Sequence, residues 1–446
     1  MSTDLWQHQQ EMIKFALPRH GVMWAAEMGT GKTRGAIELM RALEWPKTLI
    51  VAPAAVVRGV WPHQLALWGD PGLKIGFADG AVPPERRRTN ALYNDILLAN
   101  YESVWRKPLA DTLFKAGFKL LILDESHRIK AAGGVTSRFV SRLSDRIEKR
   151  LALTGTPMPH SPMDIYAQYR ALDKRIYGTS AALFRARYAI MGGFNGREIV
   201  AWQREDELRT RFESIAYQVK ASDVLSLPPY VDSMHYVTLG NEAIRLSQQA
   251  EESFFLEVEQ GVVTVANALV KLLRMQQITS GFLKPDDADK NVLFDTGKRD
   301  ALASILADLG ESHVVVFCRF RQDIEAIRDA GTAIGYNVFE VSGERKEQDD
   351  WRALGGVLAT QIQSGGLGLD LTAARTAIYY SLGYSLGDYL QSRARLHRPG
   401  QERSVNYVHL VASGTIDARV MGALKKREQV VENIIGRGRE QDGKSA

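Results

Sequence analysis

The segment with the clearest chemical meaning is the phosphate loop, residues 26–33, which reads AEMGTGKT between an apolar stretch and a helical pattern. Gly29 and Gly31 allow the backbone to curl so that its N–H groups point at phosphates, and the helix start adds positive potential. Lys32 suits contact with the β- and γ-phosphates, and the Thr33 hydroxyl suits Mg²⁺. A glycine loop alone could be a plain turn, but this order of elements predicts a nucleotide site. The predicted nucleotide-binding residues here are Met28, Gly29, Thr30, Gly31, Lys32 and Thr33.

Two carboxylates follow the apolar run Leu120–Leu123. A buried strand that ends in Asp124 and Glu125 is costly unless a cation or water receives the charges. Asp124 suits a Mg²⁺ ligand, and Glu125 suits a general base that polarises an attacking water. The alternative is a helix N-cap at a strand end, which Asp often provides. A phosphate loop earlier in the chain favours the catalytic interpretation.

An arginine pair lies in residues 391–401, which read QSRARLHRPGQ. Arg395 and Arg398 are three residues apart and share one face if the segment is helical. Two guanidinium groups so placed can clamp a transferring phosphoryl group across a cleft. A solvated basic turn is the alternative, and only the phosphate loop favours catalysis over it.

The composition excludes several classes of protein. The single cysteine, Cys318, permits no intrachain disulfide and no cysteine-based zinc site. The N-terminus lacks a basic region followed by an apolar stretch, and no run of 18 apolar residues occurs. We therefore expect no signal peptide, no membrane association and a cytoplasmic location. The net charge of +5 is compatible with a nucleic-acid partner but does not require one.

Short apolar runs alternate with amphipathic stretches, which is typical of an α/β protein with parallel sheets. Two strand-rich blocks predict two doubly wound lobes. In the first block the predicted strands are Gly21–Ala26, Thr48–Ala52, Ile96–Ala99, Leu120–Leu123 and Leu151–Leu153. In the second block they are Val314–Phe317, Asn337–Val341, Gly356–Thr360, Thr376–Tyr380 and Val405–Leu410.

The predicted domains follow from these blocks. Residues 1–157 form the first lobe, 158–284 a mostly helical insertion that returns to that lobe, and 298–436 the second lobe. The polar stretch 285–297 is predicted as the linker, and 437–446 as a disordered tail. The insertion is predicted from helical periodicity at Phe254, Phe255 and Val258, and at Ala266, Leu269, Val270 and Leu273.

In their order along the chain, these pieces resemble the motifs of superfamily 2 helicase-like ATPases, specifically the Swi/Snf-type branch. Leu5–Gln9 resembles the adenine-recognising segment, which implies that Gln9 reads adenine. Leu49–Pro53 resembles motif Ia, and Asn100–Glu102 the segment before the acidic box. That box reads DESH over residues 124–127 and is similar to a DEAH box.

The remaining motifs extend the resemblance. Thr154–Pro157 is similar to motif III, which couples nucleotide state to nucleic-acid grip, Ser364–Leu371 to motif V, and Gln391–Gln401 to motif VI. The resemblance implies that Asp370 of motif V contacts the nucleotide. The implied coupling residues are Thr154, Gly155, Thr156 and Gln391.

Several features favour the Swi/Snf-type branch over DEAD-box RNA helicases. The box reads DESH rather than DEAD, motif III reads TGTP rather than SAT, and a long stretch separates motif III from Val314. Residues 222–229 and Gly414–Asp417 also resemble that branch. In relatives the last helix braces the lobes, and here an apolar stripe marks it at Ile416, Val420, Leu424 and Val431.

The resemblance implies two tandem RecA-like lobes of a P-loop NTPase, with ATP and Mg²⁺ bound between them. It further implies translocation on double-stranded DNA, held through phosphates without sequence preference, for annealing, branch migration or protein displacement. Rival hypotheses are a strand-separating helicase, a restriction-system motor and an ATP-switched DNA clamp. A monomer is compatible with the sequence, which identifies no protein partner.

Three positions depart from the pattern of the branch. Ala26 stands where Asp is usual, Asp370 where Asn is usual, and Pro399 where Ile or a similar residue is common. None of these changes removes a catalytic group. They suggest a divergent bacterial or phage member, which in the phage case would act in the host cytoplasm.

Overall fold

The computed structural model describes residues 4–192, 196, 198–259, 265–283, 291–363 and 369–435. Helices flank two parallel sheets, one of seven strands and one of six. We call each sheet with its helices a lobe. The predicted fold, two parallel α/β lobes, is confirmed. Residues 364–368 of motif V, 285–290 of the predicted linker and the predicted tail lie outside the described residues.

The first sheet has the order β3-β4-β2-β5-β6-β1-β9, and its central strands are buried because helices cover both faces. Its strands are β1 (Gly21–Ala26), β2 (Thr48–Ala52), β3 (Ile75–Ala78), β4 (Ile96–Asn100), β5 (Leu120–Asp124), β6 (Lys149–Thr154) and β9 (Ala216–Val219). Its helices are α1 (Gln7–Ala16), α2 (Lys32–Ala42), α3 (Ala54–Trp68), α4 (Pro84–Tyr93), α5 (Leu109–Leu113), α6 (Val135–Ser144) and α7 (Asp164–Leu172), with a 3₁₀ turn at Ser126–Ile129.

Between α7 and β9 the chain is mostly helical and includes one antiparallel hairpin. The elements are α8 (Lys174–Tyr177), α9 (Ala181–Tyr188), β7 (Ala189–Gly192), β8 (Glu198–Trp202) and α10 (Glu205–Glu213). Strand β9 then pairs in parallel with β1 and completes the first sheet, and the short α11 (Ala221–Val224) follows it.

The second sheet has the order β10-β17-β16-β13-β15-β14. Its strands are β10 (Tyr230–Val237), β13 (His313–Cys318), β14 (Val338–Val341), β15 (Gly356–Gln361), β16 (Thr376–Tyr379) and β17 (Val405–Ala412). The helices of this lobe are α12 (Asn241–Glu259), α13 (Val265–Thr279), α14 (Gly297–Leu309), α15 (Arg321–Ala333), α16 (Gln348–Leu354), α17 (Leu386–Arg393) and α18 (Ile416–Ile435), and β11 (Phe282–Leu283) pairs with β12 (Val292–Leu293).

The lobes join at a different place from the one that the sequence predicts. Strand β10 pairs with β17 along its whole length, so the chain enters the second lobe at Tyr230 and the connection is residues 220–229. The prediction of a linker at 285–297, with residues up to 284 in the first lobe, is therefore wrong. Most side chains of β10 are exposed, because it is an edge strand, and so no apolar run marks it.

The predicted helical stripe falls partly outside the described side chains. Helices α12 and α13 cover it, but the side chains of residues 254–269 are not described. The last helix, α18, packs against both lobes. Its residues Ile416, Val420 and Leu424 lie in the core of the second lobe, whereas Ile434 lies with Phe212 in a core of the first. Among the helices described, α18 included, none is long and apolar enough to cross a membrane.

Candidate nucleotide site between the lobes

The phosphate loop connects β1 to α2 in the conformation that its glycines permit. Gly29 and Gly31 have φ of +83° and +76°, in the left-handed region that favours glycine. Lys32 Nζ donates hydrogen bonds to the carbonyls of Ala26 (2.6 Å) and Glu27 (3.0 Å), which holds its charge over the loop. Burial lowers the pKa of Lys32. The loop thus presents backbone N–H groups and one ammonium to the same space.

The acidic pair lies at the carboxyl end of β5. The Asp124 carboxylate accepts a hydrogen bond at Oδ2 from Trp61 Nε1 (2.8 Å) and one at Oδ1 from the Glu125 backbone N–H (3.0 Å). Burial and the neighbouring Glu125 raise the pKa of Asp124 to about 7. Glu125 has a φ of +52°, a conformation that costs a non-glycine residue energy and is frequent at functional sites.

A chain of polar contacts links the acidic pair to motif III. His127 Nδ1 lies 3.3 Å from Glu125 Oε2 and 3.3 Å from Thr154 Oγ1. Thr154 Oγ1 also accepts a hydrogen bond from the Thr156 backbone N–H (3.1 Å). Burial lowers the pKa of His127, so its imidazole is neutral at pH 7. His127 therefore connects the expected general base to the expected coupling residues.

Both lobes line one space, which we call the nucleotide cleft. Its volume of about 340 Å³ lies in the range of small-molecule sites. The first lobe contributes Met28, Gly29, Gly31, Lys32, Thr33, Asp124 and Glu125, and the second contributes Gln391, Arg395 and Arg398. The structure thus brings the predicted catalytic residues of both lobes together.

The two arginines of motif VI have different surroundings. Arg395 is buried, and burial lowers its pKa to about 10 while the Glu125 charge opposes that shift, so it remains protonated at neutral pH. Arg398 Nη1 lies 3.5 Å from the Leu369 carbonyl oxygen. Arg395 therefore lies close enough to Glu125 to interact with its charge, whereas Arg398 lies beside the end of motif V.

Two predicted nucleotide contacts lie at the margin of the nucleotide cleft or outside it. Gln9 donates from Nε2 to the Gly31 carbonyl (3.1 Å) and accepts at Oε1 from the Trp6 N–H (2.9 Å), so it holds the loop without lining the cleft. Asp370 accepts at Oδ1 from the Thr372 N–H (3.1 Å) and hydroxyl (2.8 Å). Asp370 thus caps a turn and is not brought to the cleft with the other residues.

The coupling residues lie where the lobes meet. Thr154 is fully buried at the end of β6, and Gly155 packs on the backbone of the phosphate loop. A Cβ added to Gly387, at the start of α17, would lie 2.7 Å from Pro159 Cβ. Thr30 is fully buried, and its hydroxyl donates to the Glu27 carbonyl (2.7 Å), so its role here is to hold the loop.

The residues of the nucleotide cleft fit a nucleotide with Mg²⁺. Glu125 Oε2 is buried and accepts no hydrogen bond among the described residues, although His127 Nδ1 lies 3.3 Å away, so this oxygen can accept a hydrogen bond from a water molecule. No group of three His, Cys, Asp or Glu in the described part of the chain could hold a metal alone. Mg²⁺ would instead be shared by Thr33 and Asp124 with phosphate oxygens and water, as is usual for this ion.

Sequence reasoning missed Trp61 and His127. His127 is visible in the DESH box, but nothing in the sequence assigns it a partner. Trp61 lies 63 residues from Asp124, and only the packing of α3 on the first sheet brings them together. No local pattern could have identified that contact.

The comparisons with known proteins cover nearly the whole chain. The SNF2-related domain model matches residues 7–283, and the helicase conserved C-terminal domain model matches residues 297–400. The human DNA annealing helicase and endonuclease ZRANB3 is 26% identical over 98% of the chain and 41% of its own length. The chain therefore spans about two fifths of that relative.

Two further relatives and one solved structure are similar. Putative protein p41 of Acyrthosiphon pisum secondary endosymbiont phage 1 is 25% identical over 93% of this chain and 94% of its own. The DNA repair and recombination protein RAD54B of Gallus gallus is 24% identical over 94% of this chain and 53% of its own length. The solved structure is the Sulfolobus solfataricus SWI2/SNF2 ATPase core in complex with dsDNA, which is 20% identical with a TM-score of 0.46. The match covers 98% of this chain and 94% of that one.

Proposed function

The chain belongs to the SNF2-related family of helicase-like ATPases, and we propose that it hydrolyses ATP between its lobes in order to move along double-stranded DNA. The observation that carries the proposal is the single cleft that Lys32, Asp124 and Glu125 share with Arg395 and Arg398. A phosphate-binding loop, an acidic pair and two arginines are the groups that phosphoryl transfer to water requires.

Each residue has a defined task in this mechanism. Lys32 and the backbone of the phosphate loop bind the phosphates, and Glu125 accepts a proton from the attacking water. Arg395 and Arg398 stabilise the charge that develops on the transferred group. Thr33 and Asp124 would hold Mg²⁺, which when bound would supply positive charge that stabilises the phosphates.

Hydrolysis can be coupled to movement through the contacts between the lobes. The contact chain from Glu125 through His127 to Thr154 runs from the acidic pair to motif III. Just after motif III, Pro159 packs on Gly387 of the second lobe, and a Cβ added to Gly387 would also lie 3.8 Å from Thr156 Oγ1 of motif III itself. A change at the phosphates therefore has a direct route to the position of the second lobe, as cleft opening and closing would require.

A second space between the lobes suits a nucleic-acid backbone. This interlobe groove adjoins the nucleotide cleft, and its lining carries three cations, Arg106, Arg128 and Lys130, against two carboxylates, Glu102 and Asp388. Gln363 and Ser385 line it from the second lobe. Cations and polar side chains of this kind bind phosphates and position a protein without reading bases. The names of the relatives ZRANB3 and RAD54B, which both refer to DNA, support DNA as the partner.

The test is steady-state ATP turnover against double-stranded DNA, single-stranded DNA and RNA. We expect the largest stimulation with double-stranded DNA and a decline as salt displaces phosphate contacts. Stimulation by RNA alone would contradict the proposal. A protein that binds DNA with ATP but shows little steady-state turnover would be an ATP-switched clamp.

Translocation is tested separately from turnover. A triplex-forming oligonucleotide on a duplex should be displaced in the presence of ATP, because a moving motor removes obstacles in its path. The Glu125→Gln variant is the matched control and should leave the triplex in place. Efficient unwinding of a long tailed duplex would instead identify a strand-separating helicase.

A further inference from the structure

Trp61 lies within α3 and is completely buried, yet its indole N–H has a charged partner. The N–H donates to Asp124 Oδ2 at 2.8 Å, while the Glu125 backbone N–H donates to Oδ1 at 3.0 Å. One fixed donor on each oxygen prevents the carboxylate from rotating. Each oxygen retains a lone pair for a further ligand.

Packing alone does not account for this contact. Trp24 lies in the same core cluster and is equally buried, but its indole nitrogen has no hydrogen-bond partner among the described residues. The core of the first lobe therefore accommodates an indole without satisfying its N–H. The alignment of Trp61 with Asp124 is a specific feature of α3.

Helix α3 also forms a wall of the nucleotide cleft. Val56, Val60 and Gln64, which are four residues apart and share one face, line the cleft together with Pro53 at the start of the helix. Trp61 projects from the same helix into the core, where it meets Asp124. One rigid element thus borders the nucleotide and orients the carboxylate beside it.

We propose that Trp61 is a positioning residue that holds the Asp124 carboxylate in the orientation that Mg²⁺ requires when a nucleotide is bound. It acts through the indole N–H, and not only through the volume of its ring. The inference rests on the proposed function, in that the nucleotide cleft must bind Mg²⁺ with a nucleotide.

The experiment compares Trp61→Phe with Trp24→Phe in the full chain. Both changes remove an indole from the same core, but only the first removes a donor to Asp124. Binding of a fluorescent ADP analogue is titrated with Mg²⁺, beginning in EDTA. Because Trp61→Phe loses a hydrogen bond to a charged group, its half-maximal nucleotide binding should require at least about tenfold more Mg²⁺ than that of the parent protein. Trp24→Phe should stay within about twofold of it.

The outcomes separate this inference from the proposed function. Nucleotide binding in EDTA should be equal in all three proteins, since the change acts on the metal ligand. A parent protein whose nucleotide binding ignores Mg²⁺ would contradict the proposed function itself. If nucleotide binding by the parent depends on Mg²⁺, but Trp61→Phe has the same Mg²⁺ midpoint as the parent or as Trp24→Phe, the role of Trp61 is overturned and the proposed function is not.

A second variant keeps the test decisive if Trp61→Phe is poorly folded, as judged by a melting temperature far below that of Trp24→Phe. The amino acid 3-benzothienylalanine at position 61 retains the bicyclic shape and replaces only the N–H by sulfur. The same increase in the Mg²⁺ requirement is expected for it. An unchanged requirement would overturn the proposal.

Discussion

The ring of Pro399 in the second lobe packs on Gly29 of the phosphate loop in the first lobe. A Cβ added to Gly29 would lie 2.7 Å from Pro399 Cδ, closer than two such carbons can approach. The contact joins motif VI to the loop that should bind phosphate. Any rearrangement of the cleft must change this contact, which makes it a direct point of communication between the lobes.

Substitution of Gly29 by alanine should abolish ATP turnover while the protein remains folded. The methyl group would displace Pro399, and the φ of +83° would cost a residue with a side chain about 1–2 kcal/mol. Turnover with double-stranded DNA and the melting temperature are measured together.

The control is Gly422→Ala on α18, where the new methyl group meets nothing within 4 Å. It should stabilise the helix by about 0.5–1 kcal/mol and leave turnover unchanged. Parental turnover in Gly29→Ala would show that the Pro399 contact has no part in the working cycle.

Lys32→Ala and Glu125→Gln should separate nucleotide binding from hydrolysis. Loss of the Lys32 ammonium removes a phosphate contact, so both binding and turnover should fall. Glu125→Gln keeps the shape of the side chain but cannot accept a proton from water. It should bind ATP and DNA normally, but its rate of ATP hydrolysis in single-turnover assays should be very low. Normal hydrolysis by Glu125→Gln would place the general base elsewhere.

The stability of the metal-free protein should depend on pH through Asp124. Burial and Glu125 raise its pKa to about 7, above the value in the unfolded chain. Between the two values the folded protein binds more protons than the unfolded chain, so the free energy of unfolding falls as pH rises. In EDTA, the melting temperature should therefore be lower at pH 8 than at pH 6. Asp124→Asn should remove this component, which between pH 6 and pH 8 is on the order of 1 kcal/mol.

Asp79→Asn provides the control for the pH experiment. The hydrogen bond from Arg58 lowers the pKa of Asp79, so its contribution to stability is lost only as pH falls through the acid range. The variant should therefore keep the parental difference between pH 6 and pH 8. If Asp124→Asn kept that difference as well, the Asp124 carboxyl would not be its source.

The features that the sequence predicts well are local. Strands such as β2 and β5 are buried between two layers of helices and read as continuous apolar runs, and the phosphate loop and acidic pair follow β1 and β5 directly. The edge strand β10 exposes most of its side chains and has no such run. The sequence therefore predicts the linker at residues 285–297, whereas the lobes join at residues 220–229. Trp61 acquires its partner through tertiary packing, which leaves no periodic signal.

The remaining question is whether the second lobe completes the active site. Arg395 and Arg398 reach the nucleotide cleft only because the lobes meet there, and a positioned arginine contributes about 10³–10⁵ to the rate in related phosphoryl-transfer enzymes. A surface arginine without such a role contributes nothing to the rate. Arg403→Ala, at an exposed position two residues beyond motif VI, is the matched control. Lysine at position 398 should rescue poorly, since an ammonium lacks the planar pair of donors.

The most direct measurement is steady-state ATP hydrolysis at saturating double-stranded DNA for the parent, Arg395→Ala, Arg398→Ala and Arg403→Ala. Circular dichroism and binding of ATP and DNA confirm that each variant is folded and loaded. We predict that Arg395→Ala and Arg398→Ala bind both partners and lose nearly all DNA-stimulated hydrolysis, while Arg403→Ala matches the parent. Hydrolysis within a few-fold of the parent in Arg395→Ala and Arg398→Ala would contradict an active site shared between the lobes.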